Sequence, residues 1–129
     1  MDWITDTIAI GNYLEAQDRA LLQEAGIGAV LSLDRTLQGK QPAELGLQAI
    51  EVMPLEDAPG NDVRLFHRAV EALMKLCLQG TVVVQCHAGR SRSVVVVAGF
   101  LMKTTGIDAE ESLAQVAAKR EVAVTAGTP

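Results

Sequence analysis

The chain has 129 residues, 49% apolar and 21% charged, with a formal net charge of −5 and two cysteines. That length and composition describe a single globular domain over residues 1–129 with a core of its own, and exclude a disordered chain or a disulfide framework. The acidic balance gives no reason to expect nucleic acid as a partner, and the longest strongly apolar run, Val94 to Met102, is too short to span a bilayer.

Residues 1–12 lack the basic and apolar regions of a secretory leader, which predicts a reducing, cytoplasmic setting where a reactive thiol survives. Trp3-Ile4 and Ile8-Ala9-Ile10 read as a short antiparallel pair around Thr5-Asp6-Thr7. Gln17 to Ala25 reads as a helix stopped by Gly26. Ala29 to Leu33 is a short buried strand, Thr36 to Leu47 a loop with one helical turn, and Gln48 to Met53 another strand. Glu56 to Asp62 holds Pro59, Gly60 and Asn61 and is a loop. Between Asp62 and Leu78 the apolar residues Val63, Phe66, Val70, Leu73, Met74 and Cys77 fall at helical spacing, and Gly80 ends the helix. Thr81 to Gln85 is a β-branched run suited to a central parallel strand buried on both faces. Ser93 to Thr104 reads as a helix despite the β-branched Val94 to Val97, the alternative being a strand that resumes. Asp108 and Glu111 have capping-box spacing, and Leu113, Val116 and Ala117 form the apolar face of the helix they open. The tail from Glu121 has no assignment. Strands alternating with helices predict an α/β domain, a mostly parallel central sheet flanked by helices, with its site beyond the carboxyl ends of the strands.

Cys86-His87-Ala88-Gly89-Arg90-Ser91-Arg92-Ser93 stands at such an end. A thiol at the end of a buried strand, a small-residue loop and a helix that starts beyond it place backbone N–H groups and the helix's positive end around one point. Such a loop binds a tetrahedral oxyanion, and its field favours thiolate over thiol. His87, Ala88, Gly89, Arg90, Ser91 and Arg92 are the expected phosphate-binding residues, with His87 and Arg90 at the rim. Gly89 lets the backbone approach the anion, and the planar fork of Arg92 can hold two oxygens at once. Ser93 can donate to the thiolate or cap the helix; both remain open at this point. Cys77 lies on an apolar stripe and is a core residue. An anion cradle over a nucleophile points to phosphoryl transfer through a covalent cysteine intermediate, with Cys86 and Arg92 catalytic. The reaction also needs an acid for the leaving oxygen, and Asp57 on the Glu56–Asp62 loop is the candidate; Asp62 is better placed as a helix N-cap. The adjacent Cys86 and His87 have no second ligand pair at zinc spacing, so no metal and no cofactor are expected.

Taken together, these residues resemble the dual-specificity branch of the cysteine-dependent protein phosphatases. The loop from Cys86 to Ser93 fits that branch's C-x-A-G-x-S-R-S pattern at every fixed position, Leu55-Glu56-Asp57 resembles its general-acid loop, and Ile8 to Gly11 and Leu21 to Leu33 resemble its opening elements. The resemblance implies the α/β fold of that type. It also implies attack by Cys86 on phosphorus, with Asp57 as acid and then base, Arg92 and the loop amides on the oxyanion, and Ser93 stabilising the departing thiolate. The implied partner is a phosphorylated protein or a small phosphomonoester, met by a monomer with no membrane span. The family usually has histidine before the nucleophile; here Gln85 carries no charge, which predicts a more alkaline pH optimum or a slower first step. Arg90 resembles the loop of phosphatidylglycerophosphate phosphatases, which makes a phospholipid headgroup the alternative substrate. A catalytically weak phosphate-binding adaptor and a rhodanese-like sulfurtransferase are the competing classes.

Overall fold

The computed structural model describes residues 1–55, 63–87 and 91–127. Five short strands among these residues form one sheet in the order β1 (Asp2–Trp3), β2 (Ile8–Gly11), β5 (Val82–Gln85), β3 (Ala29–Ser32), β4 (Ala49–Val52). β1 runs antiparallel to β2, and all other pairings are parallel, as expected for an α/β domain. Among the described residues four α-helices complete it: α1 (Arg19–Glu24), α2 (Val63–Cys77), α3 (Ser91–Thr105) and α4 (Ala109–Gly127). None among the described residues is long and apolar enough to cross a membrane.

Strand alternation divides the core. Val82 and Val84 of β5, with Ile8, Ile10, Ala29 and Leu31 of its neighbours, pack with Ala69, Val70 and Leu73 of α2, Val96, Val97 and Leu101 of α3 and Val116 of α4. Val83, Ala9 and Val30 pack in a second cluster with Leu22, Ile27, Leu37, Leu45 and Leu47. All four residues of β5 are fully buried. Removing one such valine side chain from water stabilises the fold by roughly 1.5–3 kcal/mol.

Several expectations need correction. The first helix is shorter than read: a single 3₁₀ turn, Glu15–Gln17, precedes it, and Asp18 caps α1 by accepting the Leu21 N–H at 3.1 Å. In α2 the buried residues are Ala69, Val70, Leu73 and Leu76, while Val63 is exposed. Cys77 is half-buried against the core, and burial pushes its thiol up. α3 is a helix, as read from the sequence, and the alternative of a resumed strand falls away. Its β-branched run is offset by packing, since Val96 and Val97 are fully buried. Gly99 lets α2 come close, because a Cβ there would lie 2.9 Å from Val70 Cγ2. α4 is capped by Asp108, which accepts the Glu111 N–H at 2.8 Å, and it continues through the unassigned tail to Gly127. Val116 is fully buried, as expected, but among the residues whose burial is described Ser112 is the other inward one, while Leu113 and Ala117 are exposed. The Glu56–Asp62 loop lies outside the described residues.

Candidate active site

The parallel pairings bring the carboxyl ends of three strands together, with Gln85 in register with Gly11 of β2 on one side and Ser32 of β3 on the other. Cys86 follows at once. Its side chain is 2% exposed and belongs to the apolar cluster shared with α2 and α3. α3 begins at Ser91, two residues before the start expected from sequence, so Arg92 and Ser93 lie in its first turn. The first turn of a helix carries unpaired N–H groups and partial positive charge, and in α3 that turn holds Arg92 and Ser93.

Arg92 reaches across the site: its Nη1 donates to the Leu55 carbonyl at 3.0 Å. Leu55 is held to the sheet by its own N–H, which donates to the Leu33 carbonyl at 2.9 Å. Ser93 is fully buried, and its hydroxyl makes no hydrogen bond among the described residues. It is not the helix cap, since the helix starts before it. His87 is exposed and its ring stacks on Tyr13, with centroids 4.3 Å apart and planes 3° from parallel. The His87 carbonyl also accepts the Tyr13 N–H at 3.0 Å, so the first residue after the cysteine is tied to the chain leaving β2.

Behind the cysteine lies a polar cluster inside an apolar sheet. Gln85 and Ser32 are both fully buried, and the Ser32 hydroxyl donates to Gln85 Oε1 at 2.5 Å. Gln85 Nε2 donates to Asp34 Oδ2 at 2.9 Å, and Asp34 Oδ1 accepts the Thr36 N–H at 2.8 Å. Burial pushes the Asp34 carboxyl up, but hydrogen bonds from the Thr36 backbone and side chain and from Gln85 outweigh it and leave it below the ordinary 3.8. A carboxylate held low stabilises the fold fully above its unfolded value, and that stabilisation is lost as the pH falls through its folded value. The Tm difference between the wild type and Asp34→Asn should thus be constant above about pH 4 and shrink below it; a difference that grows on acidification contradicts this network.

Cys86 and His87 directly follow β5, and Ser91, Arg92 and Ser93 open α3, the next described element. Asp57, Asp62, Ala88, Gly89 and Arg90 lie outside the described residues. The sequence reading missed Tyr13, Ser32 and Asp34. A polar serine in a buried strand and an aspartate just past it were the available signal, but only the strand order sets them beside β5.

Comparison with known proteins agrees with this geometry. The family model "Dual specificity phosphatase, catalytic domain" matches residues 8–127. Dual specificity protein phosphatase 1 of Arabidopsis thaliana is 28% identical over 121 residues, 93% of this chain and 60% of that protein. Dual specificity protein phosphatase 12 of Rattus norvegicus is 40% identical over 96 residues, 70% of this chain and 27% of that protein. The chain thus spans less than two thirds of each of these relatives. Among solved structures, human DUSP28 superposes with a TM-score of 0.79 at 23% identity, covering 95% of this chain and 85% of that one. A mouse putative dual specificity phosphatase complexed with zinc tungstate gives 0.79 at 28% identity, covering 94% and 76%. With a cysteine ending the central parallel strand, an arginine in the first turn of the next helix and a family match over nearly its whole length, this chain belongs to the dual-specificity phosphatase catalytic-domain family.

Proposed function

We propose that the chain hydrolyses phosphomonoesters, phosphorylated proteins first among them, through a cysteinyl-phosphate intermediate, as a monomer in the cytoplasm. The observation that carries this is the position of Cys86: a buried sulfur at the carboxyl end of the sheet, faced by the start of α3 with Arg92 and Ser93 in its first turn. The Cys86 thiolate attacks phosphorus in line; the S–P bond forms as the ester P–O bond breaks, and Asp57 protonates the departing oxygen. Asp57 then takes a proton from water, which attacks phosphorus, breaks the S–P bond and releases inorganic phosphate. Arg92 and the amides of the loop hold the three equatorial oxygens through both steps. The buried Ser93 hydroxyl, open among the described residues, has a task in the second step: it donates to the sulfur as negative charge returns to it. The mouse relative was solved complexed with zinc tungstate, and tungstate, like a phosphoryl group, is a tetrahedral oxyanion, which supports a reading in which this chain takes such a group.

The test is hydrolysis of p-nitrophenyl phosphate by the wild type and by Arg92→Lys. Lysine keeps the charge but loses the fork and the bond to Leu55, so kcat/KM should fall on the order of 10²-fold. Turnover within about threefold of the wild type would remove Arg92 from the oxyanion's partners. A second reading, a phospholipid headgroup as substrate, rests on Arg90, an additional cation beside the cradle. Phosphopeptides and anionic phospholipids assayed side by side decide between the two substrate classes.

A further inference from the structure

We propose that Asp34 is a positioning residue for Cys86, acting through the side-chain amide of Gln85; this rests on Cys86 being the nucleophile. Gln85 immediately precedes Cys86 and is fully buried, so its amide must find partners inside the protein. Both ends of it are taken. The Ser32 hydroxyl has one hydrogen and three acceptors within reach: Gln85 Oε1 at 2.5 Å, Asp34 Oδ1 at 3.3 Å and the Asp34 carbonyl at 3.4 Å. The shortest contact takes the hydrogen. Asp34, an acceptor only, then receives the amide N–H at 2.9 Å. This donor and acceptor order admits one orientation of the amide, and the ionised carboxylate makes its bond the stronger, charge-assisted kind.

The same few residues also hold the backbone. The Leu33 N–H donates to the Gln85 carbonyl at 2.6 Å, in register with the Ser32–Gln85 pairing of β3 and β5. Residues 32–34 therefore grip both the side chain and the carbonyl of Gln85, and that carbonyl belongs to the peptide that leads into Cys86. The second carboxylate oxygen of Asp34 is anchored by the Thr36 N–H at 2.8 Å, which fixes the grip to the turn leaving β3. In-line attack tolerates little error in the direction of the sulfur, and a misplacement of about 1 Å costs on the order of 10²-fold. Where the family resemblance leads one to expect a histidine, this chain sets the aim of its nucleophile with a neutral amide clamped by a carboxylate.

The experiment is steady-state hydrolysis of p-nitrophenyl phosphate, with inhibition by inorganic phosphate, for the wild type, Asp34→Ala, Gln85→Leu, the double variant and Gln85→His. Asp34→Ala and Gln85→Leu should each lower kcat about tenfold or more, with KM and the phosphate inhibition constant held within about threefold, because the cradle stays while the sulfur loses its aim. The double variant should be no worse than the poorer single one, since both cut the same link. Gln85→His, whose ring N–H can donate to the same carboxylate, should keep most of kcat. A kcat for Asp34→Ala within about twofold of the wild type, losses that multiply, or KM rising by the factor that kcat falls would each overturn the proposal. Should Asp34→Ala not fold, Asp34→Asn, which keeps one acceptor oxygen, must lower kcat at least about threefold at unchanged KM, or the proposal fails. Cys86→Ser in the same series separates the two ideas: turnover there at the wild-type rate defeats the nucleophile assignment itself, whereas a dead Cys86→Ser beside an unaffected Asp34→Ala defeats only the positioning role.

Discussion

Cys86→Ser is expected to lose hydrolysis of p-nitrophenyl phosphate by a factor on the order of 10⁴ or more while its melting temperature stays close to that of the wild type. The two halves of that result have separate causes. An alcohol is far weaker than a thiol as an acid and as a leaving group, so both the attack on phosphorus and the release of the intermediate fail. The exchange of sulfur for oxygen changes little in volume at a side chain already 2% exposed, and the strand that carries it is held on both sides by parallel pairing. Arg92 and the start of α3 are untouched, so the variant should still bind a phosphopeptide and protect it from other phosphatases. Hydrolysis by Cys86→Ser within about tenfold of the wild type would show that the sulfur is not the attacking atom.

Asp57→Asn should reduce kcat by about 10²–10⁴-fold, with the smallest loss on substrates whose leaving group needs no proton. p-Nitrophenolate is such a leaving group, and an alkyl phosphate or phosphoserine peptide is not; the ratio between the two substrates is the informative readout. The described structure brings the chain to the start of this loop under firm control. Leu55 is bonded to Leu33 through its N–H at 2.9 Å and to Arg92 through its carbonyl at 3.0 Å. The same arginine that is proposed to hold the phosphoryl group thus also holds the backbone two residues before the acid. Asp34 is not a rival for the role, because its hydrogen bonds keep it ionised, and an acid must hold a proton at the working pH. Wild-type turnover by Asp57→Asn at acid pH would transfer the role to Asp62.

Much of this was readable in the residues, for definite reasons. A run of β-branched residues ending in Cys-His-Ala-Gly marks a buried strand and the point where it stops, so β5 and the position of Cys86 were visible, as was the mostly parallel sheet. Gly26, Gly80 and Gly106 end their elements with positive φ, which punctuation of this kind announces. The features that stayed hidden depend on neighbours rather than on local pattern. The start of α3 at Ser91 removed Ser93 from the cap, and no propensity scale shows that in a run of valines. The burial of Ser112 instead of Leu113 comes from how α4 lies on α3 and β1. Ser32, Asp34 and Tyr13 look like ordinary strand and turn residues until β2, β5 and β3 are known to lie side by side.

The two faces of β5 have one more consequence. Val82 and Val84 belong to one apolar cluster and Val83 to the other, so the strand that leads into Cys86 is a partition between two separately packed chambers. A void opened in either chamber lets that partition bow toward it. Conservative trimming on the far side of the sheet, Val30→Ala or Leu22→Ala for instance, should therefore register as slower turnover at temperatures where the protein is still fully folded. Turnover in these variants that matches the wild type while they remain folded would show that packing behind the sheet does not reach the proposed nucleophile.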